Sequence, residues 1–216
     1  MSKSYPEDLW SYLVSRLITV PMLMLFLLLL LAAWLPSFPN HVTTAAIQVL
    51  TAANLLAMFR LWDDLSDISK DRNTKPDRVL CQTAHLASFR WTCGILGVTA
   101  MSTLMLTNPK SGVGFIILTA LFIIYYKLPG RSSWPRLSYH LLIFKYPCFI
   151  AFVSVYPDEA NSHLHFMMMF LTYIVVCIYE VAHDAKLRAD AWCRVIATIE
   201  LITAAITVIC ITSSLL

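Results

Sequence analysis

Long apolar segments alternate with short polar breaks along this chain, and that alternation predicts its elements. The first apolar run extends from Leu17 to Leu35 and contains LMLFLLLLLAAWL. Six more follow, at about 41–62, 84–106, 112–128, 137–156, 162–182 and 194–216. A helix needs roughly 20 apolar residues to cross a bilayer. Lipid forces every backbone polar group to bond internally, so such spans are helices. The pattern predicts an all-α polytopic transmembrane bundle of about seven helices, forming one domain over residues 1–216. The fourth segment is short, and the fifth carries Lys145 and Pro147. Breaks are expected at Leu35–Asn40, Asn108–Gly112, Pro129–Gly130 with Pro135, and Tyr156–Asp158.

Composition agrees. Of 216 residues 58% are apolar and 13% charged, where a soluble domain carries about 25% charged residues. A secretory signal peptide does not explain the first segment, because its apolar run is too long and six more spans follow. Basic residues sort by loop. Lys3, Arg16, Lys70, Arg72, Lys75, Arg78, Lys127, Arg131, Arg136, Lys186 and Arg188 fall on one side, and little beyond Lys110, with Asp158 and Glu159, falls on the other. The positive-inside rule then makes this an integral, multi-pass membrane protein with a cytoplasmic N-terminus and an outside C-terminus. The bases follow loops and not one stripe, which argues against a nucleic-acid partner. The six cysteines are scattered without a CxxC pair and read as apolar fillers.

Charge gathers at two places. Residues 60–80 read RLWDDLSDISKDRNTKPDRVL and place Asp63, Asp64, Asp67 and Asp71 beside Arg72, Lys75 and Arg78. If the helix over 41–62 continues, Asp63, Asp67 and Asp71 share nearly one face. Like charges at that spacing repel, and they become useful when Mg2+, which prefers carboxylate and phosphate oxygens, lies between them. The second cluster, YEVAHDAKLRAD at 179–190, offers Glu180 and Asp184, then Lys186, Arg188 and Asp190. Four spans separate the clusters, so both lie at one membrane face. The expected active site is there, on the cytoplasmic side, with carboxylates and Mg2+ ions around a diphosphate and an isoprenoid tail in the apolar bundle beneath.

These motifs resemble the UbiA superfamily of intramembrane prenyltransferases. Its first signature, NDxxDxxxD followed by basic residues, is matched by Asp63, Asp64, Asp67 and Asp71 with Arg72, Lys75, Pro76 and Arg78. Its second, DxxxD at the end of the sixth helix, is matched by Glu180 and Asp184. The resemblance covers essentially the whole chain. It implies a Mg2+-dependent transfer of an isoprenyl group from an isoprenyl diphosphate to a hydrophobic, electron-rich acceptor such as an aromatic ring. Asp63, Asp64, Asp67, Asp71, Glu180 and Asp184 would be catalytic, with Asp63, Asp67, Asp71, Glu180 and Asp184 as metal ligands. Arg60, Arg72, Lys75, Arg78, Lys145, Lys186 and Arg188 would hold the diphosphate. Three departures stand out. Asp63 replaces Asn, Glu180 replaces Asp, and the last two of the usual nine helices are lacking. The last leaves room for a protein partner closing the bundle, for a terpene-cyclase reaction, or for a non-catalytic membrane role.

Each residue has a plainer role as well. The aspartate run fits a charged loop, Arg60 an ion pair with Asp64, and Lys145 a snorkelling or structurally paired amine. His183 adjoins Asp184, but neighbours on a helix point apart. No HxxxH spacing occurs, so zinc is not expected. Tyr125, Tyr126 and Tyr139 lie near the cytoplasmic ends, where their ring faces suit a cation. A CDP-alcohol phosphotransferase is excluded by the lack of its glycine-containing motif.

Overall fold

The computed structural model describes residues 4–128, 135–154 and 161–215. All regular structure among them is helical. Pro129, Gly130, Arg131, Asp158 and Glu159, expected in loops, lie outside the described residues, as does Lys3.

The chain opens with α1 (Tyr5–Tyr12), a π-helical turn (Leu13–Leu17) and α2 (Val20–Trp34). These meet at a 68° bend. Pro21 accounts for its place: it has no N–H for the carbonyl four residues back, that of Leu17, and its ring would strike it. Ile18 and Thr19 leave helical geometry there. The first apolar segment is therefore a broken element.

α3 (Val42–Ser66) carries the apolar run through Asp63 and Asp64. The expected continuous helix through Asp71 does not form. Asp67 leaves helical geometry (φ −100°, ψ 4°), and the short α4 (Ile68–Thr74) starts afresh. Asp67 N–H still bonds the Asp63 carbonyl and Asp71 N–H the Asp67 carbonyl, at 3.1 and 2.8 Å. The break is thus a kink in a path whose hydrogen bonds persist. A single turn, α5 (Val79–Gln82), leads to α6 (Leu86–Thr107) and α7 (Pro109–Lys127). Their connection is tighter than the expected 108–112 loop. Asn108 alone turns the chain, accepting from Lys110 N–H at 3.1 Å, and Pro109 starts α7 where its missing donor costs nothing. Gly112 permits that closeness, since a Cβ there would lie 2.6 Å from Met105 Sδ.

The fifth apolar segment is also broken, into α8 (Pro135–Ile143) and α9 (Lys145–Val153). Pro147 sits four residues after Ile143, and the helix is interrupted between them. Then come α10 (Ser162–His183), α11 (Ala185–Ala189) and α12 (Ala191–Leu215). Among the described residues five helices are long and apolar enough to cross a membrane, or six if the bent α1–α2 pair counts as one span. The expected fifth span is shorter, an apolar stretch over Ser138–Val153. The count of seven thus becomes five or six full-length spans plus this short element, and the protein is a multi-pass helical membrane bundle.

The core is continuous through the middle of the bundle. Phe59 is 1% exposed and packs against Phe115, Phe122 and Phe149 with ring centroids 5.1–6.3 Å apart. At the end away from the aspartates, Trp34 Nε1 donates to Gln48 Oε1 (2.9 Å) and Gln48 Nε2 to the Val153 carbonyl (2.8 Å), tying α2, α3 and α9. A second apolar cluster joins α8, α10, α11 and α12 around Cys177 and Cys193.

Candidate functional site

Successive residues of a helix point about 100° apart, and at the end of α3 this sends neighbouring aspartates to opposite sides. Asp64 turns toward the first helices. Arg16 Nε and Nη2 donate to its two oxygens at 2.9 and 2.5 Å, Tyr12 Oη donates at 3.0 Å, and Arg60 Nε lies 3.5 Å away. Asp71, 6% exposed, is paired with Arg78. Asp64 and Asp71 line a cavity of about 430 Å3 together with Arg16, Lys75 and Arg78. Helix α1 walls that cavity because Tyr12 packs on Phe89, and Thr83 Oγ1 bonds Asp8 at 2.5 Å.

Asp63 turns the other way, into the bundle. It accepts from Lys145 Nζ and from Tyr126 Oη. Lys145 is 3% exposed, and its ammonium lies 5.4–5.9 Å from the ring centroids of Phe59, Phe122 and Tyr146. A buried cation in an apolar bundle requires such a carboxylate, and ring faces add to its hold. Glu180, at the end of α10, lies within electrostatic reach of Arg60, Lys145 and Asp63. Of the second motif, Glu180 is the residue that feels the charges gathered around Asp63.

Other expected site residues are distributed around this centre. Asp67 is half-buried at the kink, while Arg72 and Lys75 are exposed. Asp184 is exposed and serves as the N-cap of α11, its Oδ1 accepting from Lys186 and Leu187 N–H at 2.7 and 3.3 Å. Asp190 caps α12 in the same way, through Trp192 and Cys193 N–H. Lys186 and Arg188 are exposed, with Arg188 Nη1 donating to the Ala182 carbonyl at 3.0 Å. His183 stacks on Tyr179 and lies 2.9 Å from that residue's carbonyl. The side chain of Arg136 lies outside the described residues.

The motif carboxylates form an oxygen-only donor set, the kind a hard cation such as Mg2+ takes, so the residues fit that ion by chemistry. Asp63, Asp64 and Asp71 are paired with arginine, lysine and tyrosine side chains, and Asp184 with backbone N–H groups. Among the described residues, the groups whose candidate ligand atoms converge closely are instead His140, Cys177 and Glu200.

Directly beneath Asp63 the bundle is filled by the buried rings of Phe59, Phe122 and Phe149. A lateral groove of about 680 Å3 runs instead between α3, α6 and α7, lined by Trp62, Gly94, Gly97, Met101 and Phe115 with Arg90 and Ser66 also on its wall. That volume is in the range of small-molecule sites.

Sequence reasoning did not assign Arg16 or Tyr12 to Asp64, because nothing in spacing brings the first helix over the end of α3. It also passed over Glu200, although a lone carboxylate inside an apolar span is itself a signal.

No family model and no curated protein matches the sequence. The fold does match a solved structure, that of a digeranylgeranylglyceryl phosphate synthase in membranes, with a TM-score of 0.64 over 93% of this chain and 76% of that one, at 13% identity. With its apolar spans, paired motif ends and this likeness, the chain has the UbiA-like helical membrane fold.

Proposed function

We propose that this protein is an intramembrane prenyltransferase of the UbiA superfamily, transferring an isoprenyl group from an isoprenyl diphosphate to a hydrophobic, electron-rich acceptor with the help of Mg2+. One observation carries the reading. Asp63 and Glu180, from motifs far apart in the sequence, share the field of Lys145 and Arg60 directly above a phenylalanine-packed core. The fold shared with a membrane synthase of an isoprenoid lipid supports it.

In this reading the exposed bases Arg72, Lys75, Lys186 and Arg188 collect the anionic head. Arg78 and Lys145 are already paired with Asp71 and Asp63, and can exchange carboxylate for phosphate oxygen without becoming unpaired. Bound Mg2+, held by Asp63, Asp67, Asp71, Glu180 and Asp184, would neutralise the diphosphate as it departs with the bonding electrons. The aromatic core excludes water from the allylic cation and offers it ring faces. The acceptor carbon then bonds to the cationic carbon and loses its proton. The tail occupies the groove between α3, α6 and α7.

Terpene cyclisation is the second reading, favoured by the rings of Phe59, Phe122 and Tyr146, which already surround one cation, Lys145. The test is to incubate purified protein with a panel of isoprenyl diphosphates, with and without aromatic acceptors, and to follow diphosphate release. Release that needs both Mg2+ and an acceptor is the expected result. A cyclic product without acceptor would select cyclisation. Tight binding with no release under any condition would leave a non-catalytic, partner-dependent role and defeat both enzymatic readings.

The groove makes a separate prediction. A Cβ at Gly94 would meet nothing within 4 Å, so a side chain can start there, and Gly94→Leu narrows the groove that Gly94 lines. Product analysis with donors of increasing length should show the variant shifted toward shorter chains at unchanged thermal stability. An unaltered length preference would remove the tail from this groove.

A further inference from the structure

In the interior of the last span lies a carboxylate that the proposed reaction does not use. Glu200 is the tenth residue of α12, roughly 14 Å along its axis at 1.5 Å per residue, and a bilayer core is about 30 Å thick. It is 9% exposed, and its Oε2 is buried with no hydrogen-bond partner. A carboxylate at that depth is costly unless something binds it.

Its surroundings are suited to a metal. His140 Nδ1 from α8 lies 4.0 Å from Glu200 Oε1 and 3.6 Å from Cys177 Sγ of α10. The candidate ligand atoms of all three residues lie within 4.8 Å of one another. Bonds of about 2.0–2.3 Å to a tetrahedral Zn2+ place its ligands roughly 3.3–3.8 Å apart, so small side-chain adjustments close the set. Tyr173 Oη, 2.8 Å from His140 Nδ1, stands beside the fourth position.

We propose that His140, Cys177 and Glu200 form a Zn2+ site that clasps α8, α10 and α12 together inside the bundle. One nitrogen, one sulfur and one oxygen donor suit Zn2+ and not Mg2+, which separates this site from the aspartate motifs. The charges also close. Zn2+ binding expels the thiol proton of Cys177 and the proton of a neutral Glu200. The resulting thiolate and carboxylate cancel the ion's two charges, so the apolar interior holds no net charge. His140 exchanges its bond with Tyr173 for the metal. Cys177 sits three residues before Glu180, so the clasp lies about one helical turn beneath the charged end and secures the helix that carries it.

The test uses full-length protein purified in detergent, loaded with Zn2+ and desalted in excess Mg2+. Mass spectrometric metal analysis should find about one Zn2+ per chain, falling to background in Cys177→Ser and His140→Ala and weakened in Glu200→Gln. Loading with Co2+ should give a thiolate-to-cobalt charge-transfer absorption that is absent in Cys177→Ser. A monodisperse wild-type protein that retains no Zn2+ and shows no such absorption overturns the proposal, as does equal retention by Cys177→Ser. Should the variants aggregate, the wild-type cobalt spectrum decides alone. None of these readouts involves turnover, so the outcome is independent of the prenyltransferase reading.

Discussion

Replacing Asp63 by Ala should abolish turnover and destabilise the fold by about 3 kcal/mol, the lower end of the cost of orphaning a buried ion. The lower end applies because Asp63 keeps 22% of its side-chain exposure while Lys145 keeps 3%. The ammonium left behind would still face three rings, but with no carboxylate to neutralise it. Lys145→Met should cost less, since Asp63 can reach solvent and retains Tyr126. The double variant Asp63→Ala with Lys145→Met should recover most of the stability lost by Asp63→Ala, because both charges are gone and the space is filled by an apolar chain. It should remain inactive. Thermal unfolding in detergent and diphosphate release, measured on the same preparations, check both halves. A double variant that regains activity would show that the pair is structural only.

The second large effect is expected at Glu180. Glu180→Gln keeps the shape of the side chain and removes the charge set among Arg60, Lys145 and Asp63. Turnover should fall by roughly 10²-fold or more, the scale of losing one preorganised electrostatic group, with little change in unfolding temperature. Asp67→Asn should behave alike. Asp184→Asn gives the informative contrast. Asn caps helices about as well as Asp, so the bonds to Lys186 and Leu187 survive. A fall in turnover there would assign Asp184 to the metal, and wild-type rates would leave it a cap alone. Full activity of Glu180→Gln would remove the second motif from the chemistry.

Much of this was legible from residue order because membranes leave the chain few choices. The apolar run of 41–62 had to be a helix, and it is, extended to Ser66. An amine at 145 within an apolar segment calls for a carboxylate, a ligand or the interface, and it is paired with Asp63. What escaped depends on distances no spacing encodes. Which partner each of Asp63 and Asp64 meets depends on how α1, the π-helical turn and α9 pack against the end of α3. Proline is legible as punctuation at 109, where it starts a helix, but at 21 and 147 its effect depends on which residues precede it in the helix. In both places the ring interrupts a span that composition alone reads as continuous. His140, Cys177 and Glu200 come from three helices, so no motif joins them.

Phe59 belongs to two neighbourhoods at once. It touches Phe115 and Trp62, which line the lateral groove, and it lies under the Lys145 ammonium at 5.9 Å. Phe59 thus backs the groove's wall on one side and lies beneath the buried ammonium on the other. A substitution that repacks this ring should disturb both neighbourhoods together, and its effect should not simply add to that of a change in either one.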